Sequence, residues 1–354
     1  MVSFKILIAI TIILFSLSCT KLEDNKTVDN SSKISKIKKS KRYQEAFELF
    51  ENKKVEKAYK EFFELLKEYP DDWKLNYYIG MIAAKGYQIK TAEHYLKIAI
   101  KLSPERWESY RELASLYKSL YRYKDALIEI KKVFKYNNDD ALSNFTLAFL
   151  SVKLKDKTID PIKYYKQAIK SAPKYMLAYI HFGQYYLSLK EFDKAEEIWI
   201  KALKQRDSIT IRRMLASLSI RKKDYNEAIK RYKKLIKEKP NYVEGYLKYG
   251  NALEKLNRKK EAEKIYKEAI DIKESYIYTS QALAELYLKE KRYKEAIEVY
   301  ENLLTKSISN KEYFLFKQAE IFKEIKDLKK FNTIIKKLKK IDTKLANNYI
   351  KYLK

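Results

Sequence analysis

The sequence predicts an all-α chain, an α-solenoid of eight or nine stacked helix–turn–helix repeats. Three observations carry that prediction. Only 5 Gly and 5 Pro occur in 354 residues, several-fold below the roughly 7% and 5% of ordinary chains. The many tight turns of a sandwich, a barrel or a doubly wound sheet therefore lack the residues that build them. Small and aromatic residues recur with a period of 34, the length of two helices of about 12–14 residues with their links. The chain is also 46% hydrophobic and 14% aromatic, enough for a large core and too apolar for general disorder.

The segments follow in order. Met1–Lys5 carries one positive charge, and Ile6–Leu17 is an unbroken run of apolar residues with Thr and Ser. About a dozen residues suit the apolar stretch of an export signal and fall short of the ~20 that span a bilayer. The run ends in Leu17-Ser18-Cys19-Thr20, and Cys19 is the only cysteine. A small residue before a sole cysteine resembles the lipobox of bacterial lipoproteins, although Ser16 stands where the box usually has Leu, and Leu17 is one residue nearer the cysteine. The resemblance implies that residues 1–18 are a signal peptide and that the Cys19 thiol takes a diacylglycerol. The chain would then be exported and lipid-anchored to a bacterial membrane, on its periplasmic side or at the cell surface. A cleaved secretory signal and an uncleaved anchor are the alternatives. Residues 19–38 are polar, rich in Asn, Asp, Ser and Lys, and read as a flexible tether.

Residues 39–342 carry the repeat. Starts fall near 39, 73, 107, 141, 176, 209, 243, 277 and 312. Gly80, Ala114, Gly183, Gly250 and Ala284 recur in the first helix of a unit, and Ala92, Ala126, Ala195, Ala228, Ala262 and Ala296 in the second. Small residues there let two helices approach closely. Tyr117, Trp199, Tyr232, Tyr266 and Tyr300 are large residues at equivalent spacings and read as core. Pro70, Pro104, Pro173 and Pro240 stand at the links between units. The fourth unit is irregular, with a one-residue insertion and Asp160-Pro161 where the small residue of its second helix belongs. Pro161 fits the opening turn of that helix. A final helix over 343–354 is expected to cap the array.

This pattern resembles the tetratricopeptide repeat family. The resemblance implies a right-handed superhelix whose first helices line a concave groove for a partner protein or peptide. It places the groove at the second, fifth, ninth and twelfth residues of each unit. The third unit then offers Glu108, Arg111, Ser115 and Lys118, and the seventh Glu244, Leu247, Asn251 and Glu254. The fourth offers Leu142, Phe145, Phe149 and Val152, and the fifth Leu177, Ile180, Gln184 and Leu187. Seven apolar residues on a face that should meet water predict a hydrophobic seat for a partner segment, flanked by Arg111 and Arg213. The competing reading is that the irregular fourth unit turns them into core. The basic and amide residues of a complete clamp for a free carboxyl terminus are not found.

Charge and chemistry narrow the function. The chain carries 76 Lys and Arg against 47 Asp and Glu, a net +29. Such charge suits anionic lipid, acidic proteins or wall polymers, or merely follows compositional bias. Nucleic acid is an unlikely partner for an exported protein, and no aromatic-and-basic recognition module stands out. Two His and one Cys cannot complete a metal site of about four His and Cys ligands. No Gly-rich phosphate loop or G-x-S-x-G elbow is present. No cofactor and no catalytic residues are expected, and His94 and His181 read as ordinary helix residues. The leading expectation is a non-enzymatic, membrane-anchored scaffold that assembles or regulates an envelope complex. The alternative is a surface lipoprotein or adhesin that binds anionic host or wall ligands through basic faces.

Overall fold

The computed structural model describes residues 41–306, 310–341, 344, 347–349 and 351. The signal segment 1–18, Cys19, the tether over 19–38 and most of the expected cap at 343–354 lie outside the described residues. Eighteen helices are found among the described residues: α1 (Lys41–Glu51), α2 (Val55–Glu68), α3 (Trp73–Lys85), α4 (Ile89–Leu102), α5 (Trp107–Ser119), α6 (Tyr123–Val133), α7 (Ala141–Leu154), α8 (Pro161–Ser171), α9 (Met176–Ser188), α10 (Phe192–Gln205), α11 (Ile209–Arg221), α12 (Tyr225–Glu238), α13 (Val243–Lys255), α14 (Lys259–Ile272), α15 (Ile277–Lys289), α16 (Tyr293–Lys306), α17 (Lys311–Glu324) and α18 (Leu328–Ile341). The pairs α1–α2, α3–α4, α5–α6, α7–α8, α11–α12, α13–α14, α15–α16 and α17–α18 pack as helical hairpins, and no strand occurs among the described residues. The architecture is the predicted all-α solenoid. The chain divides after Tyr185 into two compact units, and within each unit successive helices pack on one another.

The small residues act as their spacing predicts. Ala92, Ala114, Ala126, Ala195, Ala228, Ala262, Ala284 and Ala296 are completely buried. A Cβ added to Gly250 would meet the Tyr266 ring at 2.2 Å, and one added to Gly80 would meet Leu96 at 2.8 Å. Trp199, Tyr232, Tyr266 and Tyr300 are buried in the second unit, and Tyr117 in the first. In the fourth hairpin Pro161 is the first residue of α8, and the Asp160 carboxylate caps that helix by accepting from the Ile162 amide at 2.9 Å. Ala168 and Tyr165 then enter the core, so the irregular repeat keeps its hairpin.

The shortage of glycine has a structural counterpart in the turns. Each first helix ends in a left-handed residue that is not glycine: Lys53, Tyr87, Tyr121, Lys155, Lys190, Lys223, Asn257, Lys291 and Lys326, with φ between 55° and 61°. The amide of the next residue then bonds back five residues, as from Arg122 to Tyr117 and from Arg292 to Tyr287, both at 2.9 Å. This is the Schellman ending of a helix, where glycine is the usual choice.

A second recurrent device joins neighbouring hairpins. In the first unit the Glu93 carboxylate on α4 accepts from Lys97 (2.6 Å), the Tyr117 hydroxyl (2.8 Å) and Arg122 (3.3 Å), and Arg122 holds Asp125 at 2.7 Å. The same five positions return in the second unit. Glu263 accepts from Lys267 (2.8 Å), Tyr287 (3.0 Å) and Arg292 (2.6 Å), and Arg292 holds Glu295 at 2.8 Å. The Arg292 hydrogen bond, joined by Lys267 and Tyr287, outweighs desolvation and holds the Glu263 carboxyl down at about 2.

Candidate functional site

Helices α5, α7 and α9 carry most of the residues at which the sequence places a partner seat. In α7 Phe145 is only 4% exposed, while Leu142, Phe149 and Val152 are half-buried. Phe145 packs against Tyr165, Tyr175 and His181 at ring separations of 6.3, 5.3 and 5.4 Å, which places it in the core of the first unit. On α9 Leu177 is 49% exposed and Ile180 is half-buried. Leu187 is half-buried and belongs to the second unit. The seven apolar residues therefore do not make one open patch. The physical reason is that α7 is buried on nearly all sides. Ser143, Asn144, Thr146, Leu147, Ala148, Leu150 and Ser151 are also buried, with the Asn144 amide donating to the Asn138 and Asp140 carbonyls at 2.7 and 2.9 Å.

The two flanking arginines also differ from expectation. Arg111 is 8% exposed, not offered to a partner. Its guanidinium donates to Glu112 at 3.0 Å and to Asp140, the N-cap of α7, at 3.1 Å, and it lies over the Trp107 ring at 5.1 Å. It thus ties α5 to the start of α7. Arg213 lies in the second unit, exposed, donating to the Tyr242 hydroxyl at 3.1 Å and facing Glu244 at 3.6 Å.

What the first unit does present is a cationic aromatic ledge. Lys118, at the end of α5, places its Nζ 3.4 Å from the Thr146 hydroxyl, 5.2 Å from the Phe145 ring and 5.9 Å from the Phe149 ring. Lys153 places its Nζ 5.6 Å from the same Phe149 ring. The His181 ring stands edge-on to Phe149 at 5.3 Å. Burial pulls the Lys118 ammonium down to about 8, with only Glu112 acting the other way. His181 is lowered first by burial and then by Lys118 and Lys153. Among the described residues no carboxylate forms an ion pair with any of the three; Glu112 is held by Arg111. Cations over ring faces gain about 0.5–2 kcal/mol, less than an ammonium loses on leaving water unpaired. The ledge is thus an electropositive site with apolar walls, suited to an anion carried on an apolar group. Lys118 lies in the groove register of the sequence, whereas Lys153 and His181 do not.

The repeats have relatives among known proteins. The model of the tetratricopeptide repeat family matches residues 219–282, and that of YpiA-like tetratricopeptide repeats matches residues 262–308. A TPR repeat-containing protein of Pseudomonas aeruginosa is 30% identical over 141 residues, covering 40% of this chain and 24% of that protein. The match therefore spans about a quarter of the relative's length. Among solved structures, the C-terminal part of a TPR repeat-containing protein from Cytophaga hutchinsonii aligns with a TM-score of 0.58 at 19% identity, over 66% of this chain and 95% of that one. A tetratricopeptide repeat protein from Parabacteroides merdae aligns with a TM-score of 0.47 at 16% identity, over 71% and 94% of the two chains. Residues 219–308 thus match tetratricopeptide repeats, and the helices that carry the same spacing through the described residues give the chain the fold of a tetratricopeptide-repeat solenoid.

Proposed function

We propose that the chain is a non-enzymatic scaffold, tethered to a bacterial envelope membrane, that receives a segment of a partner protein on the ledge of its first unit. The observation that carries the seat is the group formed by Phe149, His181 and the two lysines on the first-helix face. Aromatic surface beside charges that have no counter-ion is suited to a partner and costly to leave bare. The lipobox-like Cys19 and the polar residues after it support the tether. A thioether-linked diacylglycerol adds two acyl chains, enough for stable anchoring.

Two experiments test these parts separately. Mass measurement of the mature N-terminus should show acylated Cys19, and Cys19→Ser should release the protein from membranes. An unacylated, soluble parent would remove the anchor from the account. A photo-cross-linking residue at position 149 should capture a partner in cells, whereas one at Ile128, an exposed site on α6, should not. Equal capture at both sites would count against the seat.

A further inference from the structure

The repeats supply their own template for what the ledge lacks. Glu254 is the twelfth residue of α13 and Lys289 the thirteenth of α15. The Glu254 carboxylate accepts from the Tyr266 hydroxyl at 2.6 Å and from Lys289 at 2.7 Å. Four repeats earlier, the same positions are Lys118 on α5 and Lys153 on α7. The lysine that closes the pair is kept, and the carboxylate is replaced by a second ammonium. Tyr266 has Ile130 as its counterpart, which cannot donate. Asn251, whose side-chain oxygen accepts from Tyr266 at 2.7 Å, has Ser115 as its counterpart. The Ser115 hydroxyl is buried with no hydrogen-bond partner. The second unit thus completes a charge pair within itself, and the first unit holds the cationic half with an orphan donor in the same register.

We propose that the partner segment carries a carboxylate beside an apolar side chain, and that this carboxylate engages Lys118 and Lys153 as Glu254 engages Lys289, while the apolar group lies on Phe149. The inference rests on the reading of the ledge as a partner seat. An incoming carboxylate would supply the counter-ion that the Lys118 ammonium lacks. The His181 ring stands edge-on to Phe149 at 5.3 Å and extends the aromatic surface offered to the apolar group. The template, Glu254, is a side-chain carboxylate, so the occupant is an Asp or Glu of the partner segment.

Peptide display on the full-length protein tests both layers. Two random libraries are panned, one ending in a free carboxyl terminus and one in an internal, uncharged context. Enriched sequences are resynthesised with their Asp or Glu replaced by Asn or Gln. Binders should pair an acidic group with a Phe, Tyr, Trp, Leu or Ile neighbour. Success in both libraries supports the side-chain carboxylate, and success in the free-end library alone overturns it in favour of a chain terminus. Lys153→Met alters an exposed side chain and should keep the parent helical spectrum while weakening acidic peptides about 10-fold. Amide versions should bind parent and variant alike. Peptides that are lost in Phe149→Ser yet show no acidic excess and no response to Lys153→Met overturn the carboxylate inference and leave the seat standing. If no binder is lost in Phe149→Ser, the seat itself is overturned, and the inference with it.

Discussion

Two regions of this chain use the same register for opposite ends. Around Glu93 and around Glu263, five repeats apart, the residues are equivalent and so are the contacts: carboxylate, lysine, tyrosine hydroxyl and arginine. Around Lys118 and Glu254, four repeats apart, the register is the same and the charge is reversed. Where the chemistry repeats, it joins one hairpin to the next, a task every repeat shares. Where it departs from its own pattern, the departure leaves a buried cation uncompensated, which stacking does not need. Such a departure from local consistency is the expected mark of a functional position.

Breaking the shared part should have the largest effect. Gly250→Ala drives a Cβ into the Tyr266 ring and should lower stability by about 3 kcal/mol. The nearest atom to a Cβ at Gly86 is 3.6 Å away, so Gly86→Ala should leave the denaturant midpoint nearly unchanged. The opposed pair comes next. Lys118→Met replaces a cation lacking a carboxylate partner with an apolar chain of similar length and should stabilise by about 1–3 kcal/mol. Glu254→Met strips Lys289 and Tyr266 of their shared acceptor and should destabilise by about 1–2 kcal/mol. Equal signs in urea titrations would dissolve the comparison.

Acid should separate the same regions more gently. The Glu263 carboxyl titrates near 2, below its ordinary value of 4.5. Its contribution is complete above the ordinary value and is lost as pH falls from there towards 2. Arg292→Met should therefore flatten the loss of stability over that range. Lys118 is lowered from 10.5 to about 8, so the parent should gain stability as pH rises between those values and Lys118→Met should lack that gain. The smallest effect lies in the turns. Lys223→Gly and Lys291→Gly relieve left-handed backbone at non-glycine residues and should each add about 0.5–1 kcal/mol to stability. Asn257→Gly should add less, because asparagine tolerates that region.

The hairpin frame was legible because close helix contacts demand small residues at fixed intervals, and Gly80, Ala114, Gly250 and Ala284 stand at them. The helices begin within about two residues of the repeat starts, the ordinary scatter of helix ends. The turns were not legible, since lysine and tyrosine do not advertise a left-handed residue as glycine does. Phe145 read as groove because α7 is buried on nearly all sides, leaving no periodicity to say which face meets water. Arg111 read as an exposed flank because its partner, Asp140, is 29 residues away. The ledge could have been found by comparing position 118 with position 254, but only with knowledge that Glu254 is paired.

The ionisation of Lys118 tests the central claim most directly. Lysine-selective NMR on the full chain would follow its titration free and with an enriched acidic peptide. The account predicts a free value near 8 that climbs towards the ordinary lysine range as the peptide binds. A value at 10.5 in the free protein, unmoved by the peptide, would mean that the Lys118 ammonium is not held desolvated for an incoming carboxylate.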